Sequence, residues 1–353
     1  MAGILAEVTA GLASWRRAGR GATSPDRDAQ RRPGRPAGYP QRMTAERLTV
    51  PAADGRTLDV LTHGPAEGLA FVFHSGTPAG LVTYGPMTET AAALGLRTVL
   101  YSRPGYGAST RYPGRLVADA AADVTAILDH LGAGSFVTAG WSGGGPHALA
   151  CAALLPRRCL AAASMAGVAP YGGRGLDWLG DMAPENVQEF AAAADGEAAL
   201  AGLLEQTADK RRDVTAAALV EGMGGLVSEA DKAVASGSFA GYLAASFRAA
   251  LTSGIAGWLD DDLAFVRDWG FTLSGGGNGA GVPMAIWQGG QDRMVPFAHG
   301  AWLADQLPGA RAHLMPGEGH LTLAVTAFSE ILAELLDLAG VRPASAGGRP
   351  ETS

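Results

Sequence analysis

Between residues 45 and 340 short apolar runs alternate with longer helical patterns, and few folds tolerate that order. Strand candidates fall at 46–50, 56–62, 69–74, 97–101, 135–139, 159–166, 283–288 and 311–315. Several are continuous apolar runs, such as Leu69-Ala70-Phe71-Val72-Phe73, which suits strands covered on both faces. Helical periodicity over about 84–95, 116–132, 145–155, 297–307 and 323–339 separates most of them. Such alternation predicts the α/β class, a mostly parallel eight-stranded sheet covered by helices on both faces. The rhythm breaks between 168 and 281, an Ala-rich helical stretch through which Trp178, Trp258 and Trp269 are spread. We therefore expect a helical cap over 168–281, inserted into a core built from 43–167 and 282–342.

Composition narrows the function classes. The chain has 353 residues, of which 47 % are hydrophobic and 17 % charged, enough apolar sequence for a buried core. Its net charge of −7 is unevenly placed: residues 1–42 carry eight Arg against Glu7, Asp26 and Asp28, so the remaining body stands at −12. An acidic body of that size repels a phosphate backbone, and no nucleic-acid partner is expected. Lys210 and Lys232 are the two lysines and neither follows a Gly-rich loop, which excludes a P-loop nucleotidase. No apolar run nears the roughly 18 residues that a membrane span needs. Cys151 and Cys159 cannot build a disulfide framework, and a cytoplasmic protein is the expectation.

The leader 1–42 lacks the pattern of an export signal and reads as a basic, disordered segment, with Met43 just ahead of the first strand candidate. Ile4, Leu5, Val8, Leu12 and Trp15 share one helical face, so membrane contact through the leader is its alternative. Residues 343–353 read as a frayed, disordered tail.

The chemistry is carried by Phe136-Val137-Thr138-Ala139-Gly140-Trp141-Ser142-Gly143-Gly144-Gly145-Pro146, an apolar strand followed by G-x-S-x-G and an Ala-rich helix. A serine on so sharp a turn needs small residues two before and two after it, here Gly140 and Gly144. The turn would lift the Ser142 hydroxyl above the sheet and aim the Gly143 N–H at a reacting carbonyl oxygen. A serine hydroxyl needs a base, and the base an orienting acid. His320 follows the last strand in the Gly-rich loop Pro316-Gly317-Glu318-Gly319-His320, and Asp292 follows the strand 283–288. His313 lies inside a strand and reads as a packed or solvent-facing residue. His147 reads as a satisfied packing histidine, and Cys151 and Cys159 as small buried residues. The adjacent acids Asp260, Asp261 and Asp262 read as an exposed cluster on the cap. Gly275–Ala280 satisfies G-x-G-x-x-A but precedes a strand, the wrong order for a dinucleotide site. With no H-E-x-x-H and no clustered His or Cys, neither a metal nor a cofactor is expected.

On these motifs, residues 45–340 resemble the α/β-hydrolase superfamily, in particular capped serine hydrolases with a G-W-S-G-G-G nucleophile elbow. The resemblance implies a catalytic triad Ser142, Asp292, His320 in that chain order, and an oxyanion hole from the N–H groups of Gly143 and Thr77. Thr77 lies in Phe73-His74-Ser75-Gly76-Thr77-Pro78, where Ser75 replaces the family's usual His before Gly. Ser102-Arg103-Pro104-Gly105-Tyr106-Gly107-Ala108-Ser109 is similar to the family's D-x-R-G-x-G-x-S segment with its Asp lost, and reads as a structural turn. A serine at the elbow argues against dehalogenase or epoxide hydrolase chemistry, which needs a carboxylate there. Gly143 argues against a prolyl aminopeptidase, which usually carries Trp there. The implied activity is serine hydrolysis of a carboxylic ester or related acyl bond in a small-molecule substrate. An acyltransferase or lyase with the same triad, or a receptor on the same scaffold, are the alternatives.

Overall fold

The computed structural model describes residues 43–273 and 281–342. The leader, the tail and the Gly275–Ala280 motif named above lie outside the described residues.

Eight strands form one sheet: β1 (Met43–Pro51), β2 (Thr57–Pro65), β3 (Leu69–His74), β4 (Leu96–Tyr101), β5 (Phe136–Trp141), β6 (Cys159–Met165), β7 (Met284–Gly289) and β8 (Arg311–Met315). Their spatial order is β1-β2-β4-β3-β5-β6-β7-β8. Strand β2 runs antiparallel to both of its neighbours, β1 and β4; from β4 through β8 in the spatial order every pairing is parallel. Val72 of β3 stands between Val99 of β4 and Thr138 of β5, and the Thr138 hydroxyl donates to the Val72 carbonyl at 2.9 Å.

The period of two along each strand divides the core. Val72, Phe136, Ala162 and Ile286 face one layer, while Phe71, Phe73, Val137 and Ala161 face the other. The first layer is closed by α2 (Ala120–His130), α3 (Gly145–Leu154) and α10 (Phe297–Gln306), and the second by α1 (Gly85–Ala93) and α12 (Phe328–Leu338). In α12 the residues Phe328, Ile331, Leu332, Leu335 and Leu336 form a single apolar stripe, and all are buried. The Ala-rich strand β6 leaves room for α3 and α12 to approach the sheet closely.

Between β6 and β7 the described chain forms α4 (Pro184–Asp195), α5 (Glu197–Arg211), α6 (Ala216–Gly222), α7 (Glu229–Val234), α8 (Gly237–Ala250) and α9 (Ala256–Phe265). Gly105, at φ +92°, and Gly257 meet where α9 crosses the turn after β4; a Cβ on Gly257 would strike the Tyr106 ring.

Two local expectations are corrected. The periodic stretch 323–339 is two helices, α11 (His320–Val325) and α12; at their junction the Thr322 carbonyl accepts both the Thr326 N–H at 2.7 Å and its hydroxyl at 2.8 Å. His320 is consequently not in a flexible loop; it is the first residue of α11.

Candidate active site

Ser142, Asp292, His320 and Thr77 all follow the carboxyl ends of strands, after β5, β7, β8 and β3 respectively. In open parallel sheets this edge is where ligands bind. Ser142 has φ +57°, a left-handed conformation that a side chain seldom adopts. Crowding enforces it. A Cβ on Gly140 would fall on the Gly144 carbonyl, and one on Gly144 would fall on the His74 carbonyl. The elbow glycines are therefore required by backbone contact, and the N-terminus of α3 is directed at the serine turn.

His320 Nδ1 lies 2.8 Å from Asp292 Oδ2, with both side chains buried. Asp292 Oδ1 accepts the backbone N–H groups of Met294 and Val295 at 2.9 and 2.8 Å, and Gln288 Nε2 donates to Oδ2 at 3.2 Å. The carboxylate is thus fixed before it meets the imidazole. Burial pushes the His320 pKa down, but the carboxylates of Asp292 and Asp231 outweigh it and leave it above the ordinary histidine value.

Asp231, which the sequence did not single out, reaches this histidine from α7. Its Oδ2 accepts the His320 backbone N–H at 3.0 Å, and its Oδ1 accepts those of Leu321 and Thr322 at 2.7 and 3.1 Å. The Ser228 hydroxyl holds it from behind at 3.0 Å. It is a helix cap supplied by a residue distant in sequence, which satisfies the orphan donors at the start of α11.

The second missed group lies beside Thr77. Arg103 Nη1 donates to the Ser75 carbonyl at 2.6 Å, and Nη2 to the Gly76 carbonyl at 2.8 Å and the Thr77 hydroxyl at 2.9 Å. Asp261 of α9 accepts from Arg103, Arg115, Tyr106 and Thr77 at 2.6 to 3.1 Å. The turn after β4 is thus more than a turn: its arginine grips the loop that precedes Pro78. Burial alone would raise the Asp261 pKa, but the Arg103 and Arg115 guanidinium groups hold it well below the usual carboxylate range.

Asp260, Asp261 and Asp262 are all buried, against the expectation of an exposed cluster. Successive residues on a helix point about 100° apart, so each meets different neighbours. Asp260 pairs with Arg111 at 2.9 Å, Asp261 with the two arginines, and Asp262 turns toward Glu189 of α4.

The remaining candidates pack. His147 Nδ1 is 2.9 Å from the Gly143 carbonyl, while its buried Nε2 meets no partner among the described residues. His313 is half-exposed, stacks on Trp287 and bonds Glu334 at 2.8 Å. Cys151 and Cys159 are buried free thiols.

Ser142, His320, Gly143 and Thr77 line one cavity of about 180 Å³. Gly143 and Thr77 are in contact across it: a Cβ on Gly143 would lie 2.9 Å from Thr77 Cβ and 3.0 Å from the Phe265 ring. Among the described residues no three His, Cys, Asp or Glu side chains converge as a metal site requires, and no helix is long and apolar enough to cross a membrane.

A parallel sheet with this edge defines the class, and the chain belongs to the alpha/beta hydrolase fold family, whose profile matches residues 70–325. In three dimensions it is similar to epoxide hydrolase A from Mycobacterium thermoresistibile, with a TM-score of 0.61 at 20 % identity over 84 % of this chain and 98 % of that one. It is similar also to a thermophilic esterase from Thermogutta terrifontis, with a TM-score of 0.58 at 18 % identity over 84 % and 99 %. The enol-lactonase from Burkholderia xenovorans LB400 gives 0.56 at 21 % identity over 82 % and 100 %. Likeness at these identities speaks for the fold alone. No curated protein matches the chain.

Proposed function

We propose that the protein is a serine hydrolase of a carboxylic ester or related acyl bond in a small molecule, with Ser142 as nucleophile, His320 as base and Asp292 as its orienting acid. The observation that carries this reading is the buried 2.8 Å pair of His320 Nδ1 and Asp292, in a cavity that Ser142 also lines at a left-handed φ. With Nδ1–H donated to Asp292, His320 Nε2 is the basic nitrogen and takes the hydroxyl proton as Ser142 Oγ attacks the carbonyl carbon. The carbonyl oxygen gains the charge. The imidazolium, stabilised by Asp292, returns the proton to the leaving group as the tetrahedral intermediate collapses to an acyl-enzyme. Water then repeats the sequence with His320 as base and restores Ser142.

The oxyanion is assigned to the N–H groups of Gly143 and Thr77. In a trans peptide the C=O and the following N–H point opposite ways. Arg103 holds the Gly76 carbonyl at 2.8 Å, so the Thr77 N–H is directed away from that guanidinium. The helices between β6 and β7 serve as the cap, since Phe190, Leu243, Trp258 and Phe265 supply apolar wall to the cavity. Two of the proteins whose fold it resembles, an esterase and an enol-lactonase, are named for acyl chemistry, which supports this reading.

A fluorophosphonate probe is expected to label Ser142, located by peptide mass, and Ser142→Ala is expected to abolish both labelling and hydrolysis of a panel of aryl esters. Ester hydrolysis that survives in folded Ser142→Ala would reject the mechanism.

A further inference from the structure

One wall of the same cavity carries charge that the acyl chemistry does not use. Glu189 of α4 and Asp262 of α9 line it among apolar side chains, and Trp258 stands one helical turn before Asp262 on the same face. Trp258 Nε1 donates to Glu189 Oε1 at 2.9 Å. Asp262 is fully buried, and neither of its oxygens meets a donor among the described residues. The group within its hydrogen-bonding reach is the Glu189 carboxyl.

Two facing carboxyls without a cation between them share one proton, because burial penalises a second charge. Here the proton belongs to Asp262: burial first, and then Glu189, push its carboxyl well above the ordinary range. Asp262 then donates its O–H to Glu189, which also receives the Trp258 N–H. Burial raises the Glu189 carboxyl as well, but the Asp262 and Trp258 donors and the Arg211 charge oppose it, so of the pair Glu189 is the carboxylate, with two donors behind it. It is only half-buried, so its remaining acceptor capacity is open to the cavity. Arg211 borders the cavity too, and its charge favours the ionised form of Glu189, but no ion pair joins the two among the described residues and its guanidinium lies 5.7 Å over the Phe247 ring. Asp262, behind Glu189, is fully buried.

Resting on the acyl-hydrolase reading of this site, we propose that Glu189 is the recognition group for a substrate that carries a protonated amine. The ammonium would donate to Glu189 while the acyl carbon lies at Ser142. Asp262 is a positioning residue, which fixes the charge of Glu189 without touching the ligand.

The test is a titration of the wild-type protein with short n-alkylammonium ions of graded length, and with the alcohols and carboxylates of equal length. Binding is followed by tryptophan fluorescence, since Trp141 and Trp258 both line the cavity. At the best length the ammonium is expected to bind roughly tenfold to a hundredfold tighter than its alcohol, the size of a charge-assisted hydrogen bond. Glu189→Gln, which can still accept from Trp258, is expected to lose that difference. Equal binding of ammonium and alcohol, a preference for the carboxylate, or an ammonium preference that Glu189→Gln retains would each overturn the proposal. Should the variant not fold, the wild-type ordering decides alone. None of these ligands has an acyl bond, so the outcome is independent of phosphonate labelling at Ser142: a failed label removes the hydrolase reading and leaves the binding result standing.

Discussion

His320 sits between two carboxylates with different tasks. Asp292 takes its ring N–H, while Asp231 takes its backbone N–H, and both make the imidazolium easier to form despite the burial that opposes it. As the proposed general base, His320 must be neutral to act, so kcat/KM is expected to fall as pH drops through a value above the ordinary 6.5. Removing a negative charge destabilises the imidazolium, and Asp231→Asn is therefore expected to move that acid limb to lower pH. Profiles of kcat/KM against pH for the two proteins check both statements. An identical limb in Asp231→Asn would show that Asp231 shapes the helix without touching the charge.

Arg103 makes the complementary case at the loop proposed to hold the oxyanion. Its fork holds the Ser75 and Gly76 carbonyls while it neutralises Asp261. A lysine keeps the charge but cannot hold that set of acceptors with a single ammonium. Arg103→Lys is expected to fold and to lose about 10²-fold in kcat, near the loss seen when one oxyanion donor is removed. Its KM for a neutral aryl ester should move far less, because the donor acts on charge that develops only in the transition state. Steady-state kinetics separate the two. Arg103→Met, by contrast, leaves Asp261 with a single guanidinium partner, and breaking a buried pair of this kind costs about 3–5 kcal/mol in a urea melt.

At the scale of elements, α11 shows what a local pattern can and cannot reveal. The eight strands were legible because each is a short apolar run with its own turn signals, and Ser142, Asp292 and His320 because each follows one of those strands in order. Where α11 begins was not legible. Its cap is Asp231, some ninety positions upstream, within Ser228-Glu229-Ala230-Asp231, which reads as an ordinary helix start and is one, since Ser228 caps α7. The second use of Asp231 exists only after α7 packs beside α11. The aspartates of α9 failed for the same reason: a run of acids looks solvated until Arg103, Arg111 and Arg115 arrive from the segment after β4 to pair Asp260 and Asp261, and Glu189 of α4 comes to face Asp262. The helices between β6 and β7 are thus joined to the sheet's loops by charge at both His320 and the Ser75–Thr77 loop. Asp231→Ala, which removes the acceptor of three backbone N–H groups, is expected to cost about 1–3 kcal/mol in stability, the usual penalty for stranded buried donors. It should lower kcat through a loosened His320, and hydrogen exchange at Leu321 and Thr322 should rise if that explanation holds.

Over the whole molecule, buried neutral histidines set how the fold meets acid. His299 Nδ1 accepts the Ala169 N–H at 3.0 Å, so its ring proton sits on Nε2, donated to the Trp178 carbonyl at 2.9 Å. A second proton would have no place. Burial brings its pKa down to about 4 and that of His147 down to about 3. Burial first, then His147 and Arg103, hold His74 well below 6.5. In the unfolded chain all three would protonate near 6.5, so the unfolded state binds more protons as pH falls, and stability is lost between 6.5 and the folded values. His320 does not alter this window, because its raised pKa leaves it protonated in both states below 6.5. Asp262 opposes the trend: its folded pKa is raised, so the native state holds one proton that the unfolded chain has already released. The three histidines outnumber Asp262 and the smaller rises at Asp123 and Glu189 that act with it, so unfolding takes up protons near pH 5.5 and stability falls as pH drops, by up to about 1.4 kcal/mol per pH unit for each proton of net uptake. Urea melts taken between neutrality and pH 5 measure that slope directly. His299→Asn, whose amide can still donate to Trp178, should reduce it by about one proton. A stability that stays level over this range would mean that the buried rings find water or partners that this packing denies them.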